Sequence, residues 1–98
     1  MCFLTTTKVG KNNNDNSLFL REWKLGPCYG PKLGWTYSSN EVHYDICCLT
    51  PGIYTLICMN KKSYYGWGNA RLEFEGERYC DDFVGFRAMR KVSIKGKK

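Results

Sequence analysis

The chain has 98 residues, of which 43% are hydrophobic and 15% aromatic, and its 15 lysines and arginines outnumber its 9 acidic residues for a formal charge of +6. This length fits a single domain over residues 1–98, and the apolar content excludes wholesale disorder and a fold held by disulfides alone. No apolar run approaches the length of a membrane-spanning helix, so we expect no transmembrane segment.

The first part of the chain predicts two strands separated by polar loops. Residues 2–7 and 18–25 are rich in threonine, leucine and aromatic side chains, and the segment 8–17 between them is dominated by asparagine. Residues 26–34 contain glycines and prolines, which punctuate regular structure. We therefore expect this last segment to be a connection without a strand of its own.

The clearest predicted strand covers residues 41–49, where apolar and polar side chains alternate. This period of two is typical of a half-buried strand, so its apolar residues are predicted to face the core. Adjacent strand residues point to opposite sides. Cys48 is therefore expected to enter the core, while Cys47 faces outward with a different partner. His43 would lie on the polar, outward face.

The second half predicts a turn at residues 50–52, a central strand at 53–59 and a loop at 60–69. Apolar and charged side chains then alternate over 70–75, a tight hairpin follows at 75–77, and further strands are expected over 78–83 and 88–94. The count is seven or eight antiparallel strands. We therefore predict an all-β fold, a single disulfide-stapled β-sandwich.

Six cysteines in a chain this short favour a disulfide framework and an oxidising compartment. No C-x-x-C motif occurs and the only histidine is His43, so neither a zinc site nor a thioredoxin-like motif is indicated. Six cysteines allow many pairings. We favour Cys58 with Cys80, and expect Cys28 to pair with either Cys47 or Cys48 and Cys2 with the other. A redox switch formed by the adjacent pair is disfavoured by the strand alternation.

The second half also carries the pattern CCL-x-PG-x-Y-x-L-x-C, a GW pair and L-x-F-x-G-x-x-YC-x-DF. It resembles a family of small secreted domains of invertebrate extracellular proteins, which often carry a GDGW loop and have a CUB-like or jelly-roll-like sandwich shape. The matching residues are Cys47, Cys48, Leu49, Pro51, Gly52, Tyr54, Leu56, Cys58, Gly66, Trp67, Leu72, Gly76, Tyr79, Cys80, Asp82 and Phe83. The resemblance implies an extracellular, non-catalytic binding or structural module. Tyr65 replaces the aspartate that often precedes GW, which puts calcium binding in doubt.

The loop at 60–69 offers the best candidates for ligand binding. Loops tolerate exposed aromatic rings where those rings contact a partner, and neighbouring lysines add positive charge. The predicted binding residues are Tyr64, Tyr65, Trp67, Lys61 and Lys62. For Trp67 an inward position in the core is an equally weighted alternative, because tryptophan is usually buried.

Catalysis is not expected. His43 lies between Glu41 and Asp45, as in part of a catalytic triad, but no G-x-S-x-G nucleophile motif occurs. The acidic residues around the predicted hairpin could form a cation site, although charges that keep an edge hairpin from pairing with other chains are the simpler explanation. We therefore predict no enzyme activity, no metal site and no cofactor.

These observations predict a secreted, non-catalytic binding module for an anionic or carbohydrate-rich extracellular partner, such as an anionic glycan, a matrix component or a mineral surface. The cysteines argue against nucleic acid as the partner. The alternatives are a structural matrix or adhesion component and a basic host-defence or toxin-like protein. The first residues show no export signal, so a secreted setting requires that the signal was removed or that the chain is a module of a longer protein. The sequence leaves the oligomeric state open.

Overall fold

A computed structural model of the protein describes residues 1–10, 21–32, 41–60, 67, 70–81 and 85–95. The described residues form strands and turns and contain no helix. They therefore confirm the all-β class expected from the sequence. Within them, no helix is long and apolar enough to cross a membrane.

The strands form two antiparallel sheets of four strands each. Sheet A has the order β4-β1-β6-β7 and sheet B the order β3-β2-β5-β8. The strands of sheet A are β1 (Cys2–Val9), β4 (Val42–Cys48), β6 (Ala70–Phe74) and β7 (Glu77–Tyr79). Those of sheet B are β2 (Arg21–Leu25), β3 (Cys28–Gly30), β5 (Gly52–Asn60) and β8 (Arg87–Ile94). The strand predicted at 53–59 corresponds to β5. Its predicted central position is confirmed, because β5 pairs with both β2 and β8.

The core lies between the two sheets and draws alternate residues from each of them. Sheet A contributes Phe3, Leu72 and Phe74, among others, and sheet B contributes residues such as Trp23 and Leu56. The predicted alternation of the segment 70–75 is confirmed, since the apolar residues of β6 are buried and the charged ones between them are not. The chain is therefore a β-sandwich with one shared apolar interior.

The predicted orientation of β4 is wrong. Cys47 is 1% exposed and faces the interior, whereas Tyr44 and Ile46 are each 65% exposed and point outward with Cys48. A shift of one residue in a strand moves every side chain to the other face. Cys47 is bonded to Cys28 of sheet B, and this bond has to cross the interior. The intersheet disulfide thus decides the orientation, against the alternation of apolar side chains.

The segment 26–34 also differs from its prediction, because it contains β3. Leu25 lies opposite Cys28, so Gly26 and Pro27 form a two-residue turn that closes a β-hairpin. Gly26 has a φ of 56°, which suits glycine at the first central position of such a turn. The glycine and proline that suggested a connection are therefore the turn of a hairpin. The predicted hairpin at 75–77 is confirmed, with Phe74 opposite Glu77.

Candidate functional site

Three disulfides tie the sandwich together, and they match the preferred pairing. Cys28–Cys47 joins β3 to β4 and Cys58–Cys80 joins β5 to the end of β7, so each links one sheet to the other. Cys2–Cys48 lies within sheet A, where the two residues are directly opposite each other on adjacent strands. No free cysteine remains. Disulfides at this density are typical of small domains from oxidising compartments.

Of the five predicted binding residues, Trp67 is the one that the structure describes. Trp67 is 1% exposed, and its indole N–H donates a hydrogen bond of 2.8 Å to the carbonyl oxygen of Met59. This is the inward position weighed as the alternative, so the prediction that Trp67 binds a ligand is corrected: its ring is part of the core. Lys61, Lys62, Tyr64 and Tyr65 lie outside the described residues.

Positively charged side chains gather on the outer face of sheet B. Along β8, the inward positions hold Val92 and Ile94, so Arg87, Met89 and Lys91 project outward with a period of two. Lys24 of β2 projects to the same side, because its neighbours Trp23 and Leu25 are buried. We call Lys24, Lys32, Arg87 and Lys91, with Tyr29 and Met89, the cationic face.

Strand register places the members of the cationic face in adjacent rows. Lys24 lies between Tyr29 of β3 and Ile57 of β5, and Ile57 in turn lies opposite Met89 of β8. Lys91 lies opposite Thr55. Charged side chains therefore alternate with apolar and aromatic side chains across the width of the sheet.

The cations of this face contact neutral groups within the described part of the chain. The Lys91 ammonium donates a hydrogen bond of 2.9 Å to the Thr55 hydroxyl, and the Lys32 ammonium lies 4.3 Å from the centre of the Tyr29 ring. Neither lysine, nor Lys24 or Arg87, forms an ion pair with a described residue. Glu22 of β2 shares this side of the sheet, in the row of Met59 and Arg87. The four cations outnumber this carboxylate, so the face has a net positive potential that an external anion can meet.

The outer face of sheet A differs in that its charges neutralise one another. Glu73 pairs with Arg71 and with Lys8, the latter at 3.5 Å. The hydrogen bond from Arg71, assisted by Lys8, holds the pKa of the Glu73 carboxyl below its usual value. This carboxylate, part of the acidic cluster noted in the sequence, thus has protein cations as its partners.

A cleft of about 340 Å³ opens between β7 and β8, next to the cationic face. Its lining includes Tyr79, Asp81, Met89 and Arg90. The Arg90 guanidinium lies 4.8 Å above the Tyr79 ring, and burial raises the pKa of the Tyr79 hydroxyl. Because the other face of this ring stacks on Phe74, with centroids 4.3 Å apart, Tyr79 cannot offer its ring to a ligand. Arg90 lies on the same side of β8 as Val92 and Ile94, so its charge belongs to this cleft and not to the cationic face.

The polar residues of β4 do not form an outward catalytic constellation. His43 and Asp45 share the inward side of the strand with Cys47, where Thr5 donates a hydrogen bond of 3.2 Å to the Asp45 carbonyl oxygen. The His43 Nε2 lies 3.1 Å from a Glu41 carboxylate oxygen. The predicted outward position of His43 is therefore wrong. Among the described residues no group of three or more His, Cys, Asp or Glu side chains could hold a metal ion.

The cationic face was detectable in the sequence but was not recognised there. The sequence shows an excess of basic residues and predicts a strand at 88–94, but the two observations were not combined. A period of two over that strand, extended by one residue to Arg87, places Arg87 and Lys91 on one side. Comparisons with protein-family models, with curated proteins and with solved structures gave no match.

Proposed function

We propose that the protein is an extracellular, non-catalytic module that binds a linear anionic partner, such as a sulfated or carboxylated glycan, through the cationic face. The observation that carries the proposal is the grouping of Lys24, Lys32, Arg87 and Lys91 on one side of sheet B without ion-pair partners among the described residues. The resemblance to small secreted domains agrees with this proposal.

The geometry of a β-sheet suits such a partner. Residues two apart on one face of a strand are separated by roughly 7 Å, so Arg87 and Lys91 are roughly 13 Å apart along β8. A polyanion lying along the strand meets them in succession, and Lys24 lies two strands away on the same face. Tyr29 and Met89 add apolar surface on which sugar rings can rest. The disulfides keep this surface rigid, which reduces the entropy lost on binding.

The loop residues selected from the sequence belong to the same proposal. Lys61 and Lys62 follow β5 directly in the chain, and β5 is the central neighbour of β2 and β8. We propose that Lys61, Lys62, Tyr64 and Tyr65 contribute to recognition of the same anionic partner. Substitution of these loop residues measures their contribution to affinity separately from that of the residues on β2 and β8.

The test is binding to an immobilised sulfated polysaccharide such as heparin, measured over a series of salt concentrations. We expect saturable binding that weakens as salt screens the charges. Lys24→Glu and Lys91→Glu should each reduce affinity by about five-fold or more, as the loss of one surface charge interaction implies. Arg78→Glu is the matched control, because this exposed arginine lies on β7 of sheet A and its substitution changes the net charge equally.

Equal losses in Arg78→Glu and Lys91→Glu would show that only net charge matters and would contradict a defined face. Tyr64→Ala or Tyr65→Ala should weaken binding without changing its salt dependence. If none of these variants binds less than the wild type, or if the wild type does not bind at low salt, the recognition function fails. A structural matrix role would then be favoured.

A further inference from the structure

The described part of the sandwich has four sheet edges, and one of them is long and uncharged on its outer side. Edges β3 and β7 are three residues each, and β8 carries Arg87, Arg90 and Lys91. Short length and charge are the usual protection of an edge against pairing with another chain. β4 is seven residues long, contains no lysine or proline, and has Asp45 on its inward side as its one acidic residue.

The edge of β4 presents backbone groups and apolar side chains from the same residues. Val9 donates to the Glu41 carbonyl and Leu49 to the Met1 carbonyl, each at 2.8 Å. The odd-numbered residues of β4 therefore bond to β1, and the N–H and C=O groups of the even-numbered ones point away from the sheet. These outward-pointing groups include those of Val42, Tyr44 and Ile46, which have no hydrogen-bond partner among the described residues.

The side chains of those residues form an apolar patch on the outer face of sheet A. Val42, Tyr44 and Ile46 are large and exposed, and Leu4 of β1, directly opposite Ile46, is exposed as well. An exposed cluster of this kind, continuous with an open strand edge, is typical of a surface that contacts another protein.

We propose that β4 pairs antiparallel with β4 of a second copy of this chain, joining the two copies of sheet A into one continuous sheet. The pairing has a two-fold axis at Tyr44, so that Tyr44 faces Tyr44 and Val42 faces Ile46. These contacts bring the Val42, Tyr44 and Ile46 side chains of the two copies side by side and bury the flanks that face each other. The proposal does not depend on the cationic face, which lies on the other sheet.

The side-chain pairs across the two-fold axis select both the partner and the register. With the axis at Tyr44, His43 of one copy lies directly opposite Asp45 of the other, and the reverse pair forms by symmetry. A shift to an axis at Asp45 would instead place the two Asp45 carboxylates opposite each other, which destabilises a strand pair. The strand thus matches a second copy of itself better with the axis at Tyr44 than with the axis at Asp45, and this match favours a second copy over an unrelated partner.

The test is the oligomeric state, measured by sedimentation equilibrium from micromolar to millimolar protein. The wild type should show a reversible monomer–dimer equilibrium. Ile46→Lys should weaken dimerisation at least ten-fold, and Ile53→Lys, a change at a 74% exposed isoleucine on sheet B, should leave it unchanged. A wild type that stays monomeric at millimolar concentration, or equal effects of the two lysine variants, would overturn the proposal.

Two further comparisons test the backbone pairing and the register. Tyr44→Pro removes an N–H that sheet A does not use, so the monomer should fold while the dimer is lost. Tyr44→Thr is the control. It keeps the N–H and should dimerise better than the proline variant. His43→Asp places two carboxylates together and should weaken the dimer at least ten-fold, and the exchange His43→Asp with Asp45→His should restore it. Failure of the exchange to restore the dimer, with both variants folded, contradicts this register.

Discussion

At the scale of single residues, Trp67 shows how a buried polar atom fixes a side chain. Its indole N–H donates to the carbonyl oxygen of Met59, and the ring fills the interior beside β5. A buried tryptophan needs such a partner, because an unsatisfied donor in the core is costly. The hydrogen bond therefore holds Trp67, which stands between Gly66 and Gly68 in the sequence, in its inward position.

Replacement of this tryptophan tests its structural role. Trp67→Phe leaves the Met59 carbonyl without its donor and creates a small cavity, so we expect the free energy of unfolding to fall by about 1–3 kcal/mol. Urea unfolding of the oxidised protein, followed by circular dichroism, measures this. Tyr29→Phe, a change at an exposed ring, is the control and should have little effect. If Trp67→Phe is as stable as the wild type, the indole hydrogen bond does not hold the ring in place.

At the scale of elements, the β2–β3 hairpin depends on Gly26. A side chain at this position would have a Cβ atom 3.1 Å from the Tyr54 ring and 3.3 Å from the Leu49 side chain. Neither neighbour moves easily. Leu49 is buried, and the Tyr54 hydroxyl donates a hydrogen bond of 2.7 Å to the Thr50 carbonyl oxygen. The turn thus combines a positive φ with close packing.

Two alanine variants separate the cost of a positive φ from the cost of crowding. Gly76→Ala, in the β6–β7 turn, keeps the cost of a positive φ but meets no atom within 4 Å, so it should cost about 1–2 kcal/mol. Gly26→Ala adds crowding, and its total cost should be larger by about 1–3 kcal/mol. Thermal and urea unfolding of both variants give the difference. Equal costs would mean that the Tyr54 and Leu49 contacts are loose.

The elements also show what the sequence could and could not predict. Seven of the strands fall where alternation and turn residues indicated. β3, at three residues, was too short to show a period. The alternation of β4 predicted a strand correctly but assigned it the wrong face, because a buried face was inferred from apolar side chains alone. The position of Cys28 on the other sheet, which sequence spacing cannot give, decides that face.

The candidate site was predicted less well than the fold, because it too depends on contacts between residues that are distant in the chain. The binding residues in the loop at 60–69 were selected by residue type, and the one of them that the structure describes, Trp67, belongs to the core. The cationic face is built from residues distant in the chain, Lys24 and Lys32 on one side and Arg87 and Lys91 on the other. Only the pairing of β5 with both β2 and β8 brings them together.

At the scale of the whole molecule, the two proposals reinforce each other. A two-fold axis perpendicular to sheet A leaves the two copies of sheet B on the same side of the extended sheet. Both cationic faces would then point in one direction. A long polyanion could contact both copies at once, which raises the overall affinity without any new contact. Ile46→Lys should therefore weaken binding to a long sulfated polysaccharide more than binding to a short fragment, for which a single face suffices.

The rigidity of the molecule depends on the disulfides, and their exposure predicts the order in which they open. Thiol–disulfide exchange requires access to sulfur. Cys2 and Cys48 are both exposed on the outer face of sheet A, whereas Cys47 and Cys58 in the two intersheet bonds are buried. A mild reductant under native conditions should therefore open Cys2–Cys48 first, as alkylation and peptide mass spectrometry would show.

The singly reduced protein should keep its β-sheet circular dichroism, because both bonds between the sheets remain intact. Reduction in denaturant is the control and should label all six cysteines. Simultaneous labelling of all six under native conditions would mean that the sheets separate as soon as one bond opens. The order of reduction therefore distinguishes a sandwich whose packed core protects its intersheet bonds from one that is held closed by the disulfides alone.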